Sequence, residues 1–531
     1  MSTIKIVDTS QMRQIEAVSS VDGLSTSNLI DRAGQAIANK ILALCPVNTT
    51  IAILVGPGNN GSDGLVAARY LANYGHQIWI YLCASRNKIQ SSFLPAADAG
   101  INIASIDKDT NLFKLTGILN KSTVVIDSIL GTGQNRPIPE PIKSILLRLG
   151  EIKNQRPTLK LVSVDIPSGI NADSGSIDPS CQAADLTIAL GYPKIGLFSL
   201  QCADFVGRLY VEDIGLKHTL SDTNSIELLT DNWADKHIPR RQPTSNKGSH
   251  GRTLILAGSE NYIGAAHLAS MGAYRSGAGL VTLATAKSLV APISTAAPEP
   301  TYIPLPENEK GSIGKEAGAL ILNKIEGYNS LLIGCGLGQS FSSRRLVEEI
   351  LYSSKRLPPT VVDADALNIL SLSHEANNPW WKMFNREAIV TPHPGEMSRL
   401  RKDDHARNHP DRIGLARDSA KEWNKVVVLK GANTIVASPD GRVLVSPFAN
   451  PGLATAGTGD VLSGIITSLL AQGLPLMTAA ALGVYLHGLA GERVIEDYGV
   501  VGALASDLLK EIPRSIRYIE RKFTGGNSGT S

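Results

Sequence analysis

The sequence predicts an α/β protein built from two doubly wound domains, on three observations. At 531 residues the chain exceeds one ordinary core, and two domains are the natural expectation. Hydrophobic residues at 43% and charged residues at 19% fit well-packed globular domains. Short β-branched runs also alternate with helical patterns in two separate series, and many of the runs end in glycine-rich or acidic turns.

The first series runs from Thr50 to Gly215, with strands expected at Ile51–Val55, Ile78–Leu82, Val124–Ile126, Leu161–Val164, Leu186–Leu190 and Leu209–Val211. Several strands feed directly into GPGNNGSDG, DSILGTG, DIPSG and GYPKIG. Strand, functional turn and helix in succession describe a Rossmann-like three-layer domain whose ligands sit at the carboxyl ends of its strands. Residues 221–245 are polar, contain HIPRRQP and read as a linker.

The second series has strands expected at Thr253–Leu256, Leu280–Ala284, Leu331–Ile333, Thr360–Val362, Ala388–Val390, Val426–Leu429, Thr434–Ala437 and Val443–Val445. Its loops are AGSENYIGAA, GCGLG, DADALN, TPHPGE and KGANT. Residues 519–531, which include FTGGNSGTS from Phe523, read as a disordered tail. The loops of the two halves do not match, so two different chemistries are expected.

Composition excludes several classes of partner. Aromatics at 5% argue against single-stranded nucleic acid, which needs stacking faces, and a net charge of +3 is too small for a polyanion partner. Five scattered cysteines without a CxxC pair read as thiols in a reducing cytoplasm. The N-terminus lacks a signal-peptide apolar core. Gly464 to Leu486 is apolar, but Gln472-Gly473-Leu474-Pro475 divides it into halves too short to cross a bilayer, so two buried helices are expected.

Chemistry concentrates in a few turns. NPGLATAGTGDVLSG, from Asn450 to Gly464, lies between a strand and an apolar helix. Its glycines let backbone N–H groups approach a phosphate, and the helix adds a positive N-terminal dipole. Asp460 stands where that dipole begins, placed to take a proton from a hydroxyl that attacks a terminal phosphate. A bland alternative makes Thr458 or Asp460 a helix cap. KGANT offers consecutive backbone donors from Lys430, Gly431, Ala432, Asn433 and Thr434, with Gly459 continuing the cradle. His393 stands between two prolines that stiffen its loop, and Gly264, Ala265 and Gly338 suit a smooth substrate floor, although packing alone would explain Ala265.

In the first half, Gly56-Pro57-Gly58-Asn59-Asn60-Gly61 satisfies G-x-G-x-x-G, but the next strand ends without an acidic residue for a ribose diol. A redox dinucleotide domain is therefore not expected. Asn59, Asn60 and Asp63 are polar groups that packing does not explain, and Asp127, Asp165–Ser168 and Gly131-Thr132-Gly133 supply oxygens at other strand ends. Such an oxygen set suits a hard cation. Asp165 and Lys194 could carry protons, or could be a structural cap and a surface charge.

GPGNNGSDGLVAAR, DSILGTG, VDIPSG and GYPKIG resemble the YjeF N-terminal family, the NAD(P)H-hydrate epimerases, over about residues 1–220. The resemblance implies that Asn59, Asn60, Gly61, Ser62, Asp63, the run Gly131, Thr132, Gly133, Gln134, Asn135, Arg136 and Pro137, and Asp165 bind the damaged dinucleotide. It implies that Asn60, Asp127 and Ser168 hold K+. Ser62 replaces a usual glycine, and Tyr192 fills a usually small position. Residues 246–518 resemble the NAD(P)H-hydrate dehydratases, a ribokinase-like α/β branch, although GTGD alone would also suit sugar or vitamin kinases. This resemblance implies that Gly264, Ala265, Gly338, His393 and Asp460 meet substrate, and that Lys430–Thr434 and Gly459 meet ADP or ATP with Mg2+.

The expected function is thus repair of hydrated NADH and NADPH by R/S epimerisation and nucleotide-dependent dehydration, with ADP the expected donor. The rival is a small-alcohol or vitamin-precursor kinase with a regulatory or scaffold first domain. The expected partners are NAD(P)HX and ADP or ATP, with homo-oligomeric assembly, no nucleic acid and no membrane.

Overall fold

The structure, a computed structural model, describes residues 3–85, 100–134, 136–216, 226–309, 311–314, 316–373 and 378–524. It divides into two compact bodies, Lys5–Thr223 and Asn224–Ser531, the second also taking in the first residues up to Ile4.

The first body is a seven-stranded sheet in the order Asn102–Ser105, Gln77–Leu82, Thr50–Val55, Val124–Ser128, Lys160–Val164, Leu186–Leu190 and Arg208–Glu212. Every pair is parallel. From Thr50–Val55 the chain first winds outward through Gln77–Leu82, then returns to Val124–Ser128 and winds the other way. The order thus reverses between Val55 and Ser128, and ligands bind at such a switch point. Gly56 and Gly61 are needed there: a Cβ on Gly56 would stand 1.8 Å from the Ile129 carbonyl oxygen, and one on Gly61 would stand 2.1 Å from that of Gly56. Ser62 lies inside helix Asn59–Asn73, outside the positive-φ region, so the serine in place of glycine carries no strain there. Tyr192 is accommodated by burial.

Strands of the second body run in the order Ala388–Val390, Thr360–Val362, Ser330–Ile333, Arg252–Leu256, Leu280–Ala286 and, at the edge, Thr301–Leu305, all parallel. Val426–Leu429 continues the parallel set, and Ile435–Ala437 and Val443–Val445 follow it antiparallel. Here the order reverses between Leu256 and Ile333, so the AGSENYIG and GCGLG turns face each other. Gly258 donates its N–H to the Cys335 carbonyl at 2.9 Å, and the Ser259 hydroxyl donates to the Gly336 carbonyl at 2.8 Å.

The apolar stretch forms two helices, Thr458–Ala471 and Leu476–Gly502, separated at the expected break. No helix among the described residues is long and apolar enough to cross a membrane.

Two expectations need correction. The expected linker holds strand Ile226–Leu228, parallel to Val443–Val445, and helix Asp231–His237, capped by Thr230 and anchored by buried Trp233. Elements of three and seven residues are too short to display a hydrophobic period in sequence. The expected tail is also helical as far as Thr524, because Leu508, Ile512 and Ile519 form one buried stripe of helix Ala505–Thr524. Residues 525–531 lie outside the described ones.

Candidate active sites

In the first body a cavity of about 510 Å³ opens at the switch point. Asn59, Asn60 and Asp63 line it from the start of helix Asn59–Asn73, and Gly131, Thr132, Gly133 and Gln134 from the turn after Ser128. Asp165 and Lys194 line it from later strand ends. Gly61 and Ser62 are buried instead, Arg136 and Pro137 are not part of the wall, and Asn135 lies outside the described residues. Helix Asn59–Asn73 begins at Gly58 without a side-chain cap, and the positive end of its dipole meets the cavity.

Lys194 is no surface charge: its side chain is 1% exposed, and its ammonium binds the Asp165 carboxylate. Asp165 adopts φ 64° and accepts a second hydrogen bond from the Leu190 amide at 3.1 Å. A left-handed aspartate at a cavity wall is the kind of strain that functional positions retain. Burial, then the charges of Asp165 and Glu16, hold the Asp63 carboxyl well above the usual carboxylate range.

Behind this wall lies an oxygen-rich knot. Asp127 accepts from the Ser168 hydroxyl at 2.6 Å and the Ser168 amide at 2.9 Å, while the Leu130 amide donates to the Ser168 oxygen at 2.9 Å. Asn60 donates its Nδ2 to the Leu130 carbonyl at 2.9 Å, and its buried Oδ1 has no protein partner. Burial raises the Asp127 pKa, and the groups that oppose this rise are hydroxyl and amide donors. An orphaned amide oxygen beside a buried carboxylate fits a hard cation.

In the second body, helix Thr458–Ala471 starts at Gly457, which has φ 91°, and carries no side-chain cap. This overturns the capping alternative: the Thr458 hydroxyl donates back to the Leu453 carbonyl at 2.8 Å, and Asp460, in the first turn, is hydrogen-bonded to the Cys335 thiol. Ligating atoms of Asp460, Asp363 and Cys335 all fall within 4.8 Å of one another. Burial, then the neighbouring Asp363 charge, pushes the Asp460 pKa up to about 6.

Asp363 accepts from Lys430 Nζ at 2.8 Å and from the Ser463 hydroxyl at 2.7 Å. Burial raises its carboxyl, but Lys430 and the Ser463 and Thr391 hydroxyls outweigh that and leave its pKa low. The Lys430 ammonium is therefore tied to carboxylates, with Glu396 at 3.8 Å. It still stands beside the helix start, because a Cβ on Gly459 would lie 3.5 Å from it. The KGANT turn is held from below by buried Arg412, which donates to the carbonyls of Ala432 at 2.6 Å and Lys430 at 3.2 Å. Asn433 donates its side chain to the Ser446 carbonyl, and the Thr434 hydroxyl donates to the Gly431 carbonyl.

His393 caps helix Pro394–Arg401: its Nδ1 accepts from the amides of Gly395 and Glu396, while its own amide donates to Glu396. Burial and then Lys430 push the His393 pKa down to about 4, and its Nε2 lies 3.4 Å from a Glu396 carboxylate oxygen. Gly264 is exposed with open space where a Cβ would stand, and the Gly338 N–H donates to Asp365 at 2.9 Å. Ala265 packs against Gly336, where a Cβ would come within 2.8 Å of it, so at least part of its role is packing.

Glu16, Asp363, Glu396, Cys335 and Arg412 escaped the sequence reading. Asp363 and Glu396 stood in quoted loops, but only their convergence on Lys430 distinguishes them, and Glu16 had no motif around it.

Comparison with known proteins finds relatives for both bodies. Residues 26–196 match the model of the YjeF-related protein N-terminus, and residues 253–514 match that of NAD(P)H-hydrate dehydratase. The chain is 35% identical to the bifunctional NAD(P)H-hydrate repair enzyme Nnr of Moorella thermoacetica, over 97% of each chain. It is 31% identical to that of Escherichia coli, over 93% of this chain and 90% of the relative. A solved ADP/ATP-dependent NAD(P)H-hydrate dehydratase from Bacillus subtilis is 31% identical over 55% of this chain and 98% of its own, with a TM-score of 0.46. The chain belongs to the bifunctional NAD(P)H-hydrate repair enzymes, in which an epimerase domain precedes a nucleotide-dependent dehydratase domain.

Proposed function

We propose that the two helix starts that lack a side-chain cap mark where the two reactions take place, each turning the positive end of its helix dipole toward phosphate beside a carboxylate. In the first body, Asn59, Asn60, Asp63 and Gly131–Gln134 hold the hydrated dinucleotide, and the Asp165–Lys194 pair moves the proton at the C6 hydroxyl. Asn60, Asp127 and Ser168 hold K+. When bound, that ion supplies the positive charge that the buried Asp127 otherwise lacks and fixes the turn carrying Gly131.

In the second body, Lys430–Thr434 and Gly459 receive the nucleotide, with ADP as the donor and Mg2+ arriving with it. Gly264, Gly338 and His393 hold the S epimer with its C6 hydroxyl toward Asp460. Asp460 removes the hydroxyl proton as the oxygen attacks the terminal phosphorus. Phosphate is a far better leaving group than hydroxide, so the electrons of the ring nitrogen expel it, and proton loss restores the reduced nicotinamide.

The orphaned Asn60 oxygen carries the cation assignment and gives it a test. Asp127→Ala should remove the K+ dependence of R-to-S conversion and slow it, while dehydration of the S epimer stays at wild-type rate. Equal wild-type epimerisation rates in sodium and potassium buffers would contradict the assignment.

A further inference from the structure

Moving a hydroxyl from one face of C6 to the other needs proton carriers on more than one side of the ring. Asp165 and Lys194 lie on the sheet side of the cavity, at strand ends. Another part of the wall is helical: Met12 and Glu16 come from helix Thr9–Val21, and Leu29, Ile30 and Ala33 from helix Thr26–Leu44. Of the ionisable side chains on the lining helices, Asp63 of helix Asn59–Asn73 is buried, with its carboxyl held well above the usual carboxylate range, and Glu16 is the exposed one.

The chain also fixes Glu16 in register with Lys194. Val7 donates its amide to the Pro193 carbonyl at 3.0 Å and accepts from the Ile195 amide at 2.9 Å, which bridges the Lys194 turn. One residue later Asp8 caps helix Thr9–Val21 in a capping box with Gln11, and the Thr9 amide donates to Asp173 at 2.7 Å. The helix is thus anchored at its start, and Glu16 follows two turns along. Glu16 is open to the cavity by surface area. Burial still raises its carboxyl pKa, with Lys194 opposing and Asp165 adding to the rise.

We propose that Glu16 is the second catalytic acid–base of the epimerase, serving the face of C6 opposite Asp165. This rests on the assignment of the Asp165–Lys194 pair to the first face. One carrier donates a proton to the departing hydroxyl as the C6–O bond breaks and the nitrogen lone pair forms the N1=C6 bond. Water then attacks C6 from the other face, its proton passes to the second carrier, and the π electrons return to nitrogen. One water leaves and one enters, so the reaction is balanced without an oxidant or co-reactant, and the carriers exchange roles in the reverse direction.

The test uses the full chain, R-NADHX and H₂¹⁸O without nucleotide, with the epimers separated chromatographically. Wild-type S product should carry ¹⁸O at C6, and Glu16→Gln should slow conversion by ~10²-fold or more. Glu16→Ala should regain conversion when formate is added, a rescue that a purely structural role would not give. Unlabelled wild-type product, undiminished conversion by Glu16→Gln or failure of formate to rescue would each overturn the proposal. If Asp165→Asn is slow while Glu16→Gln is fast, Glu16 alone is refuted. If Asp165→Asn is fast while Glu16→Gln is slow and Glu16→Ala is rescued, Glu16 stands and the assignment of Asp165 is refuted.

Discussion

Asp460→Asn should abolish nucleotide-dependent return of NADH from the S epimer, by ~10²–10⁴-fold if it removes the general base, while R-to-S conversion continues at wild-type rate. The amide keeps the shape of the side chain in the first turn of its helix, so the Asp363–Lys430–Ser463 contacts remain in place. What it loses is the ability to accept a proton. The same carboxyl predicts the pH dependence. Its pKa is raised to about 6, and it works as a base only when ionised. Dehydration should therefore fall about tenfold per pH unit below about 6 and level off above it. Near-normal dehydration by Asp460→Asn would refute its role.

Asp165→Asn should have the converse effect: epimerisation falls by ~10²–10⁴-fold, and dehydration of pure S epimer is unchanged. The substitution removes the charge that Lys194, nearly without solvent contact, is paired with. An unpaired buried ammonium is costly, so the variant should also unfold more readily. Lys194→Met would separate the two effects, since it removes the ammonium and leaves the carboxylate facing the cavity. Chromatographic assay of R and S epimers without nucleotide reads both variants. Retention of wild-type epimerisation by both would remove the pair from the mechanism.

The fold was legible because each central parallel strand is a short apolar run ending in a turn with its own chemistry. GPGNNG, DSILGTG, GCGLG and GTGD all stand at strand ends or helix starts at the two switch points. The outer strands were not legible: Asn102–Ser105 is half polar, Ile226–Leu228 has only three residues, and Thr301–Leu305 contains a proline. The end of the last helix was not legible because a glycine-rich run follows Thr524 directly, while the buried stripe that holds the helix, Leu508, Ile512 and Ile519, is widely spaced.

For the sites, backbone-driven residues such as Gly457 and Asn60 announce themselves by local sequence. Long-range partners do not. The Lys430–Asp363 pair joins residues 67 positions apart and the Ser463–Asp363 bond spans 100, separations that a single sequence leaves uncorrelated. Glu16 belongs with them, since only folding brings its helix to the cavity that Asp165 lines.

The most direct test of the two-site account follows absorbance at 340 nm when the purified full chain meets an equal mixture of R and S hydrates of NADH. With ADP or ATP and Mg2+, absorbance should return to that of the undamaged cofactor, with no residue of the R epimer. Without nucleotide, absorbance should stay flat while R and S interconvert. Recovery that halts near half with nucleotide present, or that proceeds without it, would contradict the account.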